Sequence, residues 1–182
     1  DVSQGTTDVS DGEVHHIVLV SDPDGGEVRF YVDGELEGTS GAPGIESNDN
    51  PMMIGENPDA RNRTWSGMID DVGIWDRPIT EAEIATIWNG GDGTPLVTAG
   101  GGAVELVPDL IAYWPFDSAS DLVDKVAGIE GEAQGTLEDA EGFIGGAVDL
   151  GSDQNWIKVD AEATGWLAPA SDDNAMSISL WQ

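Results

Sequence analysis

Alternating apolar and polar positions recur along this chain in short runs that turn residues separate. In the clearest run, residues 28–32, valine and phenylalanine alternate with arginine and tyrosine before the turn pair Asp33-Gly34, which predicts a strand and a hairpin. Further runs of this kind lie at 15–20, 51–55, 65–75, 110–116, 146–150, 156–160 and 175–182. Many short strands predict an all-β protein, an antiparallel two-sheet β-sandwich.

Residues 80–89 are predicted to form one short helix. Thr80 and Glu83 have the spacing of a capping box, in which each side chain accepts a backbone N–H of the first turn. The residues that follow give the helix one apolar edge, formed by Ile84, Ile87 and Trp88. Asn89-Gly90-Gly91 then predicts the end of the helix.

The strand before this helix carries a carboxylate at an apolar position. Simple alternation places Asp70 on the face of Met68, Val72 and Ile74, and Asp71 on the opposite face, with Ile69, Gly73 and Trp75. A buried carboxylate is costly unless it is hydrogen-bonded or bound to a cation. Asp70 is therefore a candidate metal ligand, and the alternative is that it accepts hydrogen bonds from backbone amides at the strand edge.

The balance of charge narrows the classes of partner. The 182 residues include 36 acidic and 6 basic side chains, a formal net charge of −30. Nucleic acids and anionic membranes are disfavoured, because Lys and Arg supply most of that affinity. The acidic surface is consistent with solubility in a salty environment, with divalent cations or with a basic partner. Because the chain has no cysteine, oxygen ligands and hence calcium are the natural metal chemistry.

Motifs for catalysis and for membrane insertion are missing from the sequence. There is no Gly-x-Ser-x-Gly elbow, no phosphate-binding loop, and no pair of carboxylates spaced as in glycosidases of the sandwich class. No apolar run approaches the roughly 18 residues of a membrane span. We therefore expect a protein that is not an enzyme and does not insert into a membrane.

Four separated segments resemble the second half of a laminin G-like domain, a jelly-roll sandwich of the concanavalin A-like lectin/glucanase type. They occur in the family's order within residues 10–90: Gly12–Val20, Val28–Gly34, Gly67–Trp75 and Glu81–Ile84. One departure is Val14, where the family usually carries Trp. The resemblance implies an extracellular or cell-surface protein, whose export signal would lie outside this sequence.

A second block resembles the first half of the same domain type, through residues 110–117, 142–150 and 176–181. The expected organisation is a back half (1–90), a Gly/Thr/Pro linker (91–108) and a front half (109–182). Three explanations are open. The chain is a segment of a tandem array that starts in one domain and ends in the next, or a permuted single domain, or a unit whose halves are each completed by a half from the next molecule. The residues expected to complete a neighbour are Met176, Ile178, Leu180, Trp181, Trp114 and Phe116.

The resemblance also implies a ligand chemistry. Many sandwiches of this class hold a structural calcium where the first and last strands meet, which implies a site at Asp70 and Asp117 completed by backbone carbonyls and water. Four of the seven tryptophans occupy family core positions. The tryptophans nearer loops are the weaker candidates for stacking on a sugar, namely Trp65, Trp156 and Trp166. Asn62-Arg63-Thr64 is a glycosylation sequon.

Two functions follow as expectations. The first is a non-catalytic, extracellular structural or adhesive module, a repeating unit of a fibre or tandem array whose partners are copies of itself or adjacent repeats. The second is a calcium-dependent carbohydrate-binding module of a larger secreted protein, with glycans as partners. Two observations distinguish these functions: whether the half domains are completed between chains, and whether the tryptophans are exposed.

Overall fold

The structure is a computed structural model that describes residues 5–41, 50–57, 63–97, 107–152, 154–160 and 175–182. Within these ranges the chain forms one α-helix and a series of strands. Those before the helix are β1 (His16–Asp22), β2 (Glu27–Val32), β3 (Glu35–Gly41), β4 (Met52–Ile54) and β5 (Met68–Trp75). After α1 (Glu81–Trp88) follow β6 (Leu110–Trp114), β7 (Gly131–Gln134), β8 (Glu138–Glu141), β9 (Gly146–Asp149), β10 (Trp156–Val159) and β11 (Met176–Trp181).

The strands form two antiparallel sheets, which confirms the predicted all-β sandwich with one short helix. The larger sheet has the order β3-β2-β1-β11-β5-β9-β8, and β6 pairs with β5 beside β9. The smaller sheet has the order β4-β10-β7. The change of partner along β5, from β9 at Met68 and Ile69 to β6 from Val72 onward, leaves residues 70 and 71 at the branch point.

Strand β11 lies between β1 and β5, although it follows them by about a hundred residues or more. Leu180 is opposite Ile17 of β1, and Ile178 is opposite Leu19 of β1 and Ile74 of β5. Strands from both sequence blocks therefore share one sheet in this chain.

Two strands were not predicted from the sequence, β7 and β8. Their sequences, GEAQ and EDAE, have no apolar alternation that would indicate a buried face. They form because β10 and β9 offer them backbone partners. Pairing with a neighbour overrides weak local propensity at these positions.

The helix has the predicted ends. Thr80 and Glu83 form both hydrogen bonds of the capping box, and Arg77 pairs with the Glu83 carboxylate at 2.7 Å. Asn89 adopts a left-handed backbone with φ of 50° and ends the helix, and a 3₁₀ turn follows. Ile84 and Ile87 are fully buried beneath it.

Two apolar clusters form the core. The first core cluster lies between the larger sheet and the helix and consists of Val18, Val20, Tyr31, Trp75, Ile79, Ile84, Ile87, Leu96, Val107, Leu110 and Tyr113. The second core cluster lies between the two sheets and consists of Ile69, Val72, Ile74, Ala112, Trp114, Phe116, Leu122, Val148, Leu150, Ile157 and Val159. Leu96 and Val107 belong to the predicted linker, so both of its described ends are packed against the sandwich.

The polar face of β11 is the more deeply buried one. Ser177 and Ser179 are fully buried, whereas the alternating apolar residues are only partly buried, namely Met176, Ile178 and Leu180. The Ser179 hydroxyl lies 2.8 Å from Nε2 of His16. The Ser177 hydroxyl accepts the N–H of Ile79 at 2.9 Å and donates to the Arg77 carbonyl at 2.8 Å. Because these hydroxyls are hydrogen-bonded, their burial costs little.

Candidate functional site

A β-bulge in β5 corrects the predicted alternation around Asp70. Asp71 has a φ of 51°, and the register between β5 and β11 shifts at this point. Ile69 consequently joins Val72 and Ile74 in the second core cluster, although simple alternation placed it on the opposite face. A bulge inserts one extra residue, and so the parity of the strand changes across it. The prediction that Asp70 and Asp71 lie apart on opposite faces was wrong.

The two adjacent carboxylates are buried together. Asp70 is 3% exposed and Asp71 is 2% exposed. Oδ2 of Asp70 accepts the backbone N–H groups of Phe143 and Ile144, at 2.8 and 3.1 Å. Oδ1 of Asp71 accepts a hydrogen bond from the hydroxyl of Tyr113. The alternative role considered for Asp70, as an acceptor for backbone amides, is thus present for one of its two oxygens.

A glycine-rich loop, Gly142–Gly146, joins Asp70 to Asp117. Asp117 accepts the backbone N–H of Gly146 at 2.9 Å, so both predicted site residues contact the same loop. A Cβ atom at Gly142 would lie 2.8 Å from Oδ2 of Asp70, and one at Gly145 would overlap Oδ1 of Asp117. The absence of side chains at these glycines is what lets the loop close on the two carboxylates.

The electrostatics of this cluster are unfavourable to ionised carboxylates. Burial raises the pKa of Asp70 despite its two amide donors, and the charge of Asp117 adds to the effect. Burial also raises the pKa of Asp71, with the charge of Asp70 as the next cause. The pKa of Tyr113 is raised by burial and by Asp71, so Tyr113 stays protonated and donates. Adjacent negative groups in a poorly solvated site favour protonation or a bound cation.

Two carboxylate oxygens remain without a hydrogen bond in this site, Oδ1 of Asp70 and Oδ2 of Asp71. Such oxygens are the hard ligands that calcium prefers. Across the described ranges, however, no three His, Asp or Glu side chains are grouped closely enough to hold a metal ion. Calcium at Asp70 and Asp71 would therefore take most of its roughly six to eight oxygens from main-chain carbonyls and water.

Asp124 is a third buried carboxylate, which the sequence did not single out. It is 1% exposed and follows β6 in the chain. Its Oδ1 accepts the N–H groups of Tyr113 and Val126 at 2.6 and 3.0 Å, and its Oδ2 accepts that of Ala127 at 2.6 Å. These bonds fold the loop after β6 back onto the strand.

Sequence reasoning also missed Asp71 and Tyr113 as members of the Asp70 site. Direct adjacency to Asp70 was a visible signal for Asp71. For Tyr113 and Asp124 the sequence held no comparable signal, because their partners come from other strands and loops.

The aromatic residues expected to complete a neighbour are buried in this chain. Trp114, Phe116 and Trp181 are at most 1% exposed. The Trp181 ring stacks on Phe143 with a centroid separation of 4.0 Å, and it also contacts His16 and Trp88. This stack joins β1, β11, the end of α1 and the Gly142–Gly146 loop.

The three tryptophans considered as sugar platforms differ in position. Trp65 is partly buried against the second core cluster, and its Nε1 donates to the Met68 carbonyl at 3.2 Å. Trp156 is partly buried at the start of β10. Trp166 lies outside the described residues, as does Asn62 of the sequon. Sugar binding at these residues stays a prediction.

Comparison with known proteins supports the family resemblance. Residues 1–85 match a laminin G family model described as the concanavalin A-like lectin/glucanases superfamily. This match supports a laminin G-like domain over residues 1–85, and the two antiparallel sheets are consistent with the fold of that superfamily. Searches of curated proteins and of solved structures found no match to the chain. No helix in the described ranges is long and apolar enough to cross a membrane.

Proposed function

We propose that this chain is a non-catalytic, extracellular laminin G-like module with a structural or adhesive role, built to be joined to further copies of itself. The observation that carries the proposal is the position of β11. A strand of the front half lies at the centre of a sheet whose flanking strands belong to the back half.

Each half depends on the other for its hydrogen bonds. If β11 were removed, β1 and β5 would present unpaired backbone edges in the middle of the larger sheet, which is a template for pairing with another strand. Trp181, Ser177 and Ser179 would also leave the buried layer beneath the helix. An exposed half domain of this kind therefore recruits a matching half.

The same contacts serve two assemblies. When β11 folds back within its own chain, the product is a permuted single domain. When β11 is exchanged with a neighbouring copy or repeat, the identical hydrogen bonds produce an open chain of subunits. The net charge of −30 opposes self-association in dilute buffer, and salt weakens that repulsion.

Paired cysteines distinguish the two assemblies. Leu19 and Ile178 are opposite each other across β1 and β11, and Leu19 is 38% exposed, so both positions suit cysteine. The chain has no native cysteine, so introduced thiols are the sole source of a disulfide. The double variant, Leu19→Cys with Ile178→Cys, is oxidised gently and analysed by non-reducing electrophoresis and by mass in solution. Exchange predicts a ladder of linked chains, whereas a permuted domain predicts a cross-linked monomer.

A mixture of the two single-cysteine variants sharpens the test. After unfolding and refolding together, they form a linked dimer if β11 is exchanged. The pair Leu19→Cys with Val126→Cys is the matched control, since Val126 is also exposed but lies outside the β1–β11 pair. A double variant that forms only monomers would refute the fibre, and failure to form any specific disulfide would refute the position of β11 itself.

We further propose that calcium stabilises the branch point of β5. The unpaired oxygens of Asp70 and Asp71 support this, as does the closure of one loop on Asp70 and Asp117. A cation there would offset the repulsion between carboxylates and hold the front half to the back half. Its proposed role is structural, and a rise of the melting temperature with calcium that Asp70→Asn abolishes would test it.

The second candidate function is calcium-dependent binding of carbohydrate. The match to a superfamily of lectins and glucanases favours it, as does the partial exposure of Trp156. Binding to a glycan array that disappears with a chelator and with Trp156→Ala would support this function. Trp114→Phe, a change in the buried core, is a control for indirect effects of an altered aromatic residue.

A further inference from the structure

Residues 5–14, here called the N-terminal strap, lie along the β2–β3 hairpin. The Thr6 hydroxyl donates to Oε2 of Glu37 and the Thr7 hydroxyl to Oε1, each at 2.7 Å. A Cβ atom at Gly5 would lie 3.1 Å from the Phe30 ring. One end of the strap is thus attached to β3 and passes over Phe30.

The other end of the strap meets His15, which precedes β1. Nδ1 of His15 lies 2.8 Å from Oδ2 of Asp33 in the hairpin turn, and Nε2 lies 3.2 Å from Oδ1 of Asp11 in the strap. The histidine is 7% exposed. Its ring therefore lies between one carboxylate of the hairpin and one of the strap.

The Asp33 contact is fixed more firmly than the Asp11 contact. The N–H of His16 donates to Oδ1 of Asp33, and the N–H of Asp33 donates to the carbonyl of His16, both at 2.9 Å. The main chain of His15 is held by reciprocal bonds to Gln182. Asp11 has no such anchor to the sheet, because its other carboxylate bond is to the N–H of Glu13 within the strap.

The chemistry of imidazole makes this arrangement depend on pH. An ionised carboxylate only accepts hydrogen bonds, and a neutral imidazole carries one N–H. Both contacts can be hydrogen bonds only when His15 is the imidazolium ion. When His15 loses a proton, the better-anchored Asp33 keeps the remaining N–H, and a ring nitrogen lone pair then faces Asp11.

We propose that His15 is a pH-dependent latch that holds the N-terminal strap on the sandwich in mildly acidic solution and releases its Asp11 end in alkaline solution. Thr6 and Thr7 stay on Glu37 and the main chain of His15 stays on Gln182, so the freed part is a loop between these two attachments. Release frees residues 8–14 while the strands keep their pairing.

The surrounding charges support the direction of the change. The charged groups that face His15 are Asp33 on the hairpin turn and Asp11 and Asp8 on the strap. The hydrogen bond that His15 donates to Asp33 raises the pKa of His15 above its ordinary 6.5 despite burial. The stabilisation is therefore complete below the ordinary value and is lost as pH rises through the higher folded value. Glu37, whose pKa is lowered to about 2 by Thr6 and Thr7, stays ionised throughout.

Nuclear magnetic resonance between pH 5 and pH 9 tests the latch in the intact chain. We expect the His15 ring to titrate with a midpoint above 6.5. The heteronuclear NOE of the amides of residues 8–13 should fall with the same midpoint, while those of Thr6 and Thr7 stay constant. His16 is an internal reference, because burial lowers its pKa to about 4 and it does not titrate in this range.

Two variants separate the latch from a general effect of charge. Asp11→Ala should leave residues 8–13 mobile at every pH and lower the midpoint of His15, because alanine can neither accept from nor donate to the ring. Glu13→Gln removes the same charge from the same strap but not from the His15 ring, and it should behave like the wild type. Strap amides that stay rigid while His15 titrates would overturn the proposal, as would a His15 midpoint at or below 6.5.

Discussion

Asp124, Asp70 and Asp71 are all buried carboxylates, but they differ in how many of their oxygens accept hydrogen bonds. Asp124 has both oxygens occupied by backbone N–H groups from three residues. Asp70 and Asp71 each have one oxygen occupied and one without a hydrogen bond, and they repel each other. Burial alone therefore does not decide whether a buried carboxylate stabilises the fold. The number of hydrogen-bond donors that contact it decides this.

The comparison assigns the two regions different roles. The Asp124 loop is complete by itself, because backbone N–H groups occupy both carboxylate oxygens. The Asp70–Asp71 branch point has one oxygen of each carboxylate without a hydrogen bond, which is why we propose a cation there.

Asp124→Ala should cause the largest loss of stability, because three backbone donors lose their acceptor. At about 1–3 kcal/mol for each unsatisfied buried donor, partly relieved by water, we expect the free energy of unfolding to fall by roughly 3–5 kcal/mol. Urea denaturation measures it, with and without calcium. The loss should be the same in both conditions.

The control for this variant is Asp121→Asn, in the same loop. Asp121 pairs with Lys125 at the surface, and an exposed pair contributes under about 1 kcal/mol. If Asp124→Ala were no worse than Asp121→Asn, the contrast between the two buried regions would fail.

Calcium should raise the melting temperature of the wild type, and a chelator should reverse the rise. At a concentration of about one hundred times Kd, binding contributes roughly 2.7 kcal/mol, or about 5–10 °C for a chain of this size. Asp70→Asn should abolish the response. Asp24→Asn, a change in the exposed turn after β1, should keep it. If calcium does not change the melting temperature of the wild type, the proposal that a cation binds at Asp70 and Asp71 is refuted.

Asp71→Asn should have the smallest effect and an informative dependence on pH. A carboxyl group whose folded pKa is raised contributes stability at low pH and loses it as pH rises through that pKa. In calcium-free buffer at pH 9, the free energy of unfolding of the variant should therefore exceed that of the wild type by roughly 1–2 kcal/mol. The variant lacks the buried charge but keeps an acceptor for the Tyr113 hydroxyl. Urea denaturation at pH 5 and pH 9 measures the difference, and an equal difference at both values would contradict the raised pKa.

Much of the fold could be predicted from local pattern, and the family resemblance in residues 1–85 is confirmed. Asp70 was recognised because a carboxylate among apolar neighbours breaks the period of a strand. Asp117 entered only through the resemblance, and a metal role for either residue stays a prediction. Asp71 was misplaced because alternation assumes a regular strand, and a bulge cannot be read from residue types alone.

The sequence by itself determined the features that depend on neighbouring residues. The hairpin at Asp33-Gly34, the capped helix from Thr80 and the apolar strands follow from backbone preferences and side-chain period within a few positions. The tertiary structure decided what depends on distant partners. These features are strands β7 and β8, the burial of the serines of β11, and the hydrogen bonds of the buried carboxylates, which are complete for Asp124 and incomplete for Asp70 and Asp71. The reason is physical, since a hydrogen bond or a buried charge acquires its energy from the groups that surround it in space, and these groups are as far as 100 residues away in the chain for Ser177 and Arg77.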